Sequence, residues 1–243
     1  MRSRLDLEMT RRGLAESREA AQRLIMAGRV RVNSRPAAKA DLRVDDAAPI
    51  ELIGGPREYA SRGAYKLLAA LEHFATPVAG RRALDVGASS GGFTDVLLRR
   101  GAAHVIALDV GYGQLAEHLR TDPRVTVMDR TNIRGVQPAD LPWPPELVVI
   151  DASFISLRLI LPPVVGLLAR PGEILALVKP QFEVGRGKVG KGGIVRDPAL
   201  RAAALREVAA CAAALGLDFG GSIDSPITGA AGNREILAHF AAR

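Results

Sequence analysis

The feature that most constrains the fold of this chain is a short apolar run that opens into a glycine-rich turn. Residues 83–86 carry Asp85 near their end, and the small residues of 87–92 follow directly. An amphipathic segment at 93–100 comes next. This order predicts a strand, a tight turn and a helix N-terminus, where α/β proteins bind nucleotide-like ligands. Ser89 stands where the dinucleotide fingerprint needs its second glycine, so that fingerprint is excluded, and a turn without a ligand is the alternative.

Apolar runs and turn residues alternate from there to the end of the chain. The pattern predicts strands at 82–86, 104–109, 124–128, 146–151, 173–179, 218–223 and 234–240, and helices at 63–74, 93–100, 113–120, 156–169 and 198–215. The near-continuous apolar strand at 147–150 indicates a sheet covered by helices on both faces. We therefore predict an α/β fold, a doubly wound Rossmann-like sheet, preceded by a small α+β domain.

Acidic residues recur where these predicted strands end. They are Asp85, Asp109, Asp129 and Asp151 on four successive strands. Carboxyl ends of parallel strands meet at one sheet edge, where ligands bind. There Asp109 suits ribose hydroxyls, Asp129 suits an adenine amino group, and helix-start amides near Phe93 suit a carboxylate. One such acid is a common cap, but four along one edge indicate an adenosine-containing ligand.

The net charge of +7 is concentrated near the N-terminus. Residues 1–39 contain ten lysines and arginines against four acids. Helices are predicted at 4–13 and 18–27, the second capped by Ser17, and strands at 29–33 and 50–53, the first with valines inward. A basic module ahead of a near-neutral domain predicts a polyanionic partner, nucleic acid above all.

Other classes of function are disfavoured by composition. The single cysteine, Cys211, excludes an internal disulfide, and the four histidines stand alone without metal-ligand spacing. No leader-like or bilayer-length apolar run is found, which favours a reducing cytoplasm.

Three charged residues are candidates for chemistry. Lys179 follows an apolar strand and is expected at the same rim as Asp151. Pairing with Asp151 would favour the charged form of Lys179, whereas desolvation would favour the neutral amine. The sequence alone does not decide which of the two effects is larger. Lys66, off the apolar stripe of its helix, reads as exposed, and Glu235 as a surface acid on an edge strand. The stretch 180–196 reads as a long mobile loop whose Arg186 and Lys188 contact phosphates.

The first fifty or so residues resemble the S-four RNA-binding domain, named after a small-subunit ribosomal protein. The matching text is RLD at 4–6, the helix start at 17–18 and AGRVRVN at 27–33. The resemblance implies that arginines on rigid elements position RNA through its phosphates. The predicted RNA-binding residues of this module are Arg4, Arg11, Arg18, Arg29 and Arg31.

Seven segments together resemble the TlyA family. They are SRGAYKL at 61–67, GASSGGFT at 87–94, DVGYGQL at 109–115, RTN at 130–132, DASFISL at 151–157, VKPQFEVG at 178–185 and GN at 232–233. Members are ribosomal RNA cytidine 2′-O-methyltransferases, historically labelled hemolysins, with an FtsJ-like catalytic domain. The resemblance implies S-adenosylmethionine as methyl donor, ribosomal RNA in ribosomal subunits as partner, and no metal.

The family's catalytic Lys-Asp-Lys-Glu set falls on Lys66, Asp151, Lys179 and Glu235. The implied donor site comprises Asp85, Gly87, Ala88, Ser89, Ser90, Gly91, Gly92, Phe93, Asp109 and Asp129. The implied reaction is in-line transfer of the sulfonium methyl to a ribose 2′-oxygen, with Lys179 oriented by Asp151 to manage the hydroxyl proton. Phe154 suits stacking on an extruded base, and a buried core phenylalanine is the equal alternative.

Two departures and two competing functions accompany this prediction. The interdomain tetrapeptide has the family form Arg-x-aromatic-Val but ends here in Ala60, which puts coupling between RNA docking and donor binding in doubt. The sequence also lacks the C-terminal extension that some members carry. Domains are predicted at 1–55 and 63–243, with a linker at 56–62. A non-catalytic RNA-binding or ribosome-assembly protein is the alternative, and a pore-forming hemolysin is disfavoured.

Overall fold

The computed structural model describes residues 2–15, 17–26, 28–53, 58–229 and 232–243, with Arg186 described by its main chain only. The chain forms two compact units, residues 1–58 and 59–243. The predicted linker at 56–62 straddles that division, and its first two residues lie outside the described ranges. The exact domain limits therefore stay a prediction.

The N-terminal unit is a small α+β domain. Its elements are β1 (Arg2–Arg4), α1 (Leu5–Arg11), α2 (Arg18–Met26), β2 (Val30–Val32), β3 (Arg35–Pro36), β4 (Arg43–Asp45) and β5 (Ile50–Leu52). β1 pairs with β4, and β2 lies between β3 and β5 in an antiparallel sheet. Leu5, Met9, Ile25 and Val30 are fully or almost fully buried between these elements.

The local sequence explains most of these elements. Ser17 Oγ accepts a hydrogen bond from Ala20 N at 3.1 Å, so the predicted cap of α2 is present. Val30 and Val32 are buried and Arg31 is exposed, which confirms the alternation. The predicted helix at 4–13 is wrong at its start because Arg4 lies in β1, paired with Arg43.

The C-terminal unit is built on a seven-stranded, mostly parallel sheet. Its elements are α3 (Ala64–His73), β6 (Arg82–Val86), α4 (Gly92–Arg99), β7 (His104–Leu108), α5 (Glu117–Arg120), β8 (Val125–Met128), β9 (Leu147–Ile150), α6 (Leu157–Leu167), β10 (Gly172–Val178), α7 (Pro180–Glu183), α8 (Pro198–Ala214), β11 (Asp218–Asp224) and β12 (Ile236–Ala242). The strand order is β11-β12-β10-β9-β6-β7-β8, which confirms the doubly wound sheet.

Buried side chains cover both faces of this sheet. One cluster packs alternate strand residues such as Leu84 and Val148 against α6 and α8. The other packs their neighbours, such as Ala83 and Val149, against α3 and α4. Because both faces are buried there, the central strands β9 and β10 are apolar at nearly every position, as the sequence pattern requires.

Three predictions about this unit need correction. The helix at 113–120 is a single turn at Glu117–Arg120. β12 is not an edge strand, since it lies between β10 and β11. The stretch 180–196 is not structureless: it begins with α7 and contains two 3₁₀ turns, at Arg186–Lys188 and Lys191–Gly193.

Glu183 holds the start of that stretch in place. Its carboxylate accepts hydrogen bonds from Ser156 Oγ at 2.5 Å and from Leu157 N at 2.8 Å, which ties α7 to the N-terminus of α6. Further along, Asn233 Oδ1 accepts from Val195 N at 2.9 Å. Within the described ranges, every helix is too short or too polar to cross a lipid bilayer.

Candidate active site

The strand order creates a switch point between β6 and β9. From β6 the chain moves outward through β7 and β8, and the next two strands, β9 and β10, are added on the other side of β6. Loops on either side of such a point diverge and leave a crevice at the carboxyl edge of the sheet. The glycine turn after β6 and Asp151 after β9 both lie at this crevice.

The predicted row of acids lies along this edge. Asp109, Asp129 and Asp151 follow directly after β7, β8 and β9, and Lys179 follows β10. β12 runs antiparallel to β10 with Ile236 opposite Val178, so the preceding residue, Glu235, comes to the same edge.

Four charged side chains form a connected chain of ion pairs there. Lys179 Nζ lies 2.6 Å from Asp151 Oδ1, and Lys66 Nζ lies 3.8 Å from Asp151 Oδ2. Lys66 Nζ also donates to Glu235 Oε2 at 2.7 Å. The structure thus brings together all four residues of the predicted catalytic set, which we call the tetrad: Lys66, Asp151, Lys179 and Glu235.

The tetrad is largely removed from solvent. The side chains of Lys66 and Lys179 are 9% and 8% exposed, and that of Glu235 is 3% exposed. The residue-level interpretations of Lys66 as an exposed lysine and of Glu235 as a surface acid are therefore wrong. Two lysines and two carboxylates balance in charge, which makes their burial possible.

Ser153 is a neighbour of the tetrad that the sequence did not single out. Its hydroxyl accepts a hydrogen bond from Lys179 Nζ at 2.8 Å, and the backbone carbonyl of Asp151 accepts another at 3.4 Å. Ser153 itself is exposed. Its position two residues after a strand-terminal acid was the only available signal.

The glycine turn has three positions where a side chain would not fit. A Cβ on Gly87 would lie 2.9 Å from the backbone oxygen of Asp151, and one on Gly92 would lie 2.1 Å from Ser61 Oγ. Gly87 and Gly91 also have φ of +88° and +92°, where other residues are strained. Glycine is therefore required at these positions by the packing and by the backbone conformation.

The turn also leads into the N-terminus of α4. Gly91 is the N-cap of α4 and contributes no side-chain acceptor. The first amide groups of a helix lack intrahelical partners and attract anionic groups. Ala88 and Phe93 are buried, Ser90 is half-buried and Ser89 is exposed, and the amide of Ala88 donates to the carbonyl of Leu108 at 3.1 Å.

Asp85 lies beneath this turn with no exposed surface. Its Oδ2 accepts from Thr94 Oγ1 at 2.7 Å, while its Oδ1 is buried without a hydrogen-bond partner among the described residues. Burial raises the pKa of Asp85 to about 7, with further repulsion from Asp151. In this conformation Asp85 supports the turn from behind, and its predicted direct contact with a ligand stays a prediction.

The two remaining acids anchor loops at the crevice. Asp109 accepts from Ser89 N at 2.8 Å and from Gly111 N at 2.7 Å. Asp129 accepts from Gly113 N at 3.1 Å and from Arg120 at 2.9 Å. Both carboxylates therefore shape the crevice, and their predicted contacts with ribose and adenine are untested.

Phe154 lies on the surface beside the tetrad. It is 91% exposed with φ of +64°, and its ring centroid is 5.3 Å from that of Phe182. The alternative of a buried core phenylalanine is wrong. The two rings line a cleft of about 420 Å³ together with Arg134 and Gln181. Lys188 is exposed, and the side chain of Arg186 lies outside the described part of the structure.

In the N-terminal unit, three of the five predicted RNA-binding arginines pair with two buried acids. Arg4 and Arg18 pair with Asp6 at 2.9 and 3.0 Å, and Arg11 pairs with Glu8. Arg29 donates to the carbonyl of Ile53, and Arg31 is exposed on β2.

These two acids, Asp6 and Glu8, are 0% and 1% exposed and did not stand out in the sequence. The hydrogen bond from Arg4 and those from Gln22 and Arg18 hold the pKa of Asp6 far below its usual range. Hydrogen bonds from Arg11 and Arg12 lower the pKa of Glu8 to about 2. The spacing of Glu8 from Arg11 and Arg12, three and four residues along a helix, could have revealed one of them.

The tetrapeptide at 57–60 is described only in part, since Arg57 lies outside the described residues. Ala60 N donates to Asp95 Oδ2 at 2.9 Å, which attaches the end of this segment to α4. Whether the segment couples RNA docking to donor binding stays a prediction.

Comparisons with known proteins agree with this architecture. The FtsJ-like methyltransferase family model matches residues 59–242, and the S4 domain model matches residues 3–48. The chain is 54% identical to the 16S/23S rRNA (cytidine-2'-O)-methyltransferase TlyA of Mycobacterium tuberculosis over 97% of this chain and 88% of that protein. It is 40% identical to Hemolysin A of Brachyspira hyodysenteriae over 98% and 99% of the two chains.

A solved hemolysin structure from Streptococcus thermophilus shares the fold with a TM-score of 0.77 and 43% identity, over 99% of this chain and 88% of that one. With the parallel sheet, the glycine turn and the tetrad, these matches lead to one assignment. The chain belongs to the TlyA family of FtsJ-like methyltransferases, with an S4 domain ahead of its methyltransferase domain.

Proposed function

We propose that this enzyme transfers a methyl group from S-adenosylmethionine to the ribose 2′-hydroxyl of a cytidine in ribosomal RNA, within ribosomal subunits in the cytoplasm. The observation that carries the proposal is the tetrad at the switch-point crevice, at the same sheet edge as the glycine turn. The named activity of the Mycobacterium tuberculosis relative supports the cytidine and the 2′-oxygen as targets.

The crevice fits the proposed donor. The turn at 87–92 leads into the N-terminus of α4, whose first amide groups suit the carboxylate of a methionine moiety. Asp109 and Asp129 at the next two strand ends suit the ribose and adenine groups. When bound, the donor supplies an electrophilic methyl on a sulfonium. The donor contacts assigned to residues 85–93, Asp109 and Asp129 are part of the proposal.

The tetrad would handle the proton of the attacking hydroxyl. A ribose hydroxyl is a weak acid, so its oxygen needs proton removal or positive charge beside it as the new bond forms. Lys179, fixed by Asp151 at 2.6 Å, meets that need in its neutral or charged form. Lys66, held by Glu235, would position the ribose. Lys66 and Lys179 contact different oxygens of Asp151, which lies between the two ammonium groups.

Two further regions would hold the RNA. The arginines of the N-terminal unit, Arg4, Arg11, Arg18, Arg29 and Arg31, would contact phosphates, together with Arg186 and Lys188 of the other unit. Phe154 would stack on the extruded cytosine, since an exposed ring beside the reacting centre suits a flipped base.

Transfer of label decides between this proposal and a non-catalytic RNA-binding protein. Ribosomal subunits incubated with the chain and methyl-labelled donor should gain label on one or a few cytidines, mapped by mass spectrometry of nuclease digests. RNA that is bound without gaining label would leave the binding protein as the better description. Dye release from protein-free liposomes at low protein concentration would instead favour the hemolysin reading.

A further inference from the structure

We propose that Ser153 is the route by which the proton collected by Lys179 leaves the active site after each methyl transfer. This inference rests on the proposed function, and it gives a role to a side chain that neither the sequence pattern nor the family resemblance singled out. It starts from the three groups that surround the Lys179 ammonium.

Those three acceptors differ in what they can do with a proton. Lys179 Nζ contacts Asp151 Oδ1 at 2.6 Å, Ser153 Oγ at 2.8 Å and the Asp151 carbonyl at 3.4 Å. The carbonyl accepts only. A proton on Asp151 would remove the negative charge that both Lys66 and Lys179 contact. A hydroxyl both accepts and donates, so Ser153 alone can take one proton while passing another on.

Exposure distinguishes the same residues. Lys179 is 7% exposed, and Lys66 and Glu235 are 8% and 3% exposed. Ser153, in contrast, is exposed. The Lys179–Ser153 hydrogen bond therefore joins a buried lysine to an exposed serine. No second serine, threonine or histidine contact of Lys179 is found in the part of the chain that the structure describes.

The proton balance of the reaction requires such an exit. The 2′-oxygen gains the methyl group and loses its hydrogen, and the sulfonium becomes a neutral thioether. The released proton is taken by the neutral amine of Lys179, which becomes an ammonium. The ammonium then gives a proton to Ser153 Oγ while the original hydroxyl proton of Ser153 passes to water. Lys179 returns to the amine, and the next cycle can begin.

Ser153→Ala tests this role because it separates the first turnover from later ones. The variant should keep the wild-type rate in a single turnover, with enzyme in excess over ribosomal subunits. Its steady-state turnover should fall by roughly tenfold, since proton transfer through a positioned group contributes at least that much. Imidazole, a small proton carrier, should restore steady-state turnover in the variant and leave the wild type unchanged. Ser153→Thr keeps the hydroxyl and should behave as the wild type.

Other outcomes would overturn the inference. Unchanged steady-state turnover in Ser153→Ala would show that the proton leaves by another route. Equal loss of single and multiple turnovers, without imidazole rescue, would make Ser153 a support for the geometry of Lys179 instead. Failure of the wild-type enzyme to transfer any methyl would remove the proposed function itself, a result that the wild-type reaction reports separately.

Discussion

The two units of this protein use opposite arrangements of charge. At the two buried acids of the N-terminal unit the cations are on the outside: the side chains of Arg11 and Arg18 are 61% and 48% exposed, and those of Glu8 and Asp6 are 1% and 0% exposed. In the tetrad the cations are buried as well, with Lys66 and Lys179 at 9% and 8%.

This difference separates docking from chemistry. A guanidinium has five N–H donors, so an exposed arginine can keep its bond to the buried carboxylate and still contact a phosphate. A buried ammonium has lost its water, so its partners determine its charge and its reactivity. The arginines suit contact with a polyanion, and the lysines suit proton transfer.

The largest effect is expected from Lys179. Lys179→Ala should lower methyl transfer by about a hundredfold or more, in line with the loss of a general base, while donor affinity stays within a few-fold. Lys179→Arg is the matched variant, since arginine keeps the charge beside Asp151 but does not lose a proton near neutral pH. It should be nearly as inactive as the alanine variant. Rates under single-turnover conditions check both, and high activity in the arginine variant would limit Lys179 to an electrostatic role.

The buried pair of Lys66 and Glu235 should show strong coupling in stability. Lys66→Met or Glu235→Leu alone leaves one buried charge without its closest partner and should cost about 3–5 kcal/mol of unfolding free energy. The double variant removes both charges and should be more stable than either single one. Urea unfolding followed by circular dichroism measures this cycle. Additive losses would show that the 2.7 Å contact is not a coupled pair in solution.

Asp85 should give the C-terminal unit an unusual pH dependence. Its pKa is about 7 in the folded protein against 3.8 for the free side chain, so the folded state holds the proton more tightly. Between about pH 4 and pH 7 the unfolded chain loses this proton first, so stability should fall with rising pH by a few kcal/mol. Asp85→Asn removes the titrating group. The free energy of unfolding of this variant, measured in urea relative to the wild type, should therefore increase as the pH rises across that range. An advantage independent of pH would contradict the raised pKa.

The acids of the N-terminal unit should respond to pH in the opposite direction. The pKa of Glu8 is lowered to about 2 by Arg11 and Arg12, so its contribution is present above about pH 4.5 and is lost as the pH falls toward 2. Acidification should therefore change the stability of the two units in opposite directions. It should destabilise the N-terminal unit through Glu8 and stabilise the C-terminal unit through Asp85.

The sheet and the row of strand-terminal acids could be predicted because both follow from local patterns. Apolar runs identify the strands, and parallel strands bring their ends to one edge. The burial of Lys66 and Glu235 could not be predicted from the residues, because it depends on a contact between positions 169 residues apart. It also requires β12 to enter the sheet between β10 and β11, an order that local periodicity does not encode.

The same limit explains the errors at 180–196 and in the basic module. Glu183 orders α7 through Ser156 and Leu157, both distant in sequence. Asp6 looked like one acid among many arginines, yet Arg4, Arg18 and Gln22 converge on it from three positions along the chain. The count of charged residues predicts the sign of the partner's charge. It does not show which arginines already pair with an acid inside the protein.

The smallest effect is expected from the arginines, because each is one of several contacts with RNA. Replacing Arg4, Arg18 and Arg29 with Gln should weaken RNA binding and reduce the slope of log K against log salt by about 2 to 3, if each contacts one phosphate. Asp6→Asn in the same variant avoids a buried acid left without its cations. Arg31→Gln is the single-contact comparison, because Arg31 is exposed on β2, and it should lower the slope by about 1 without affecting folding. An unchanged slope in the multiple variant, with its circular dichroism spectrum intact, would place the RNA-binding surface elsewhere on the protein.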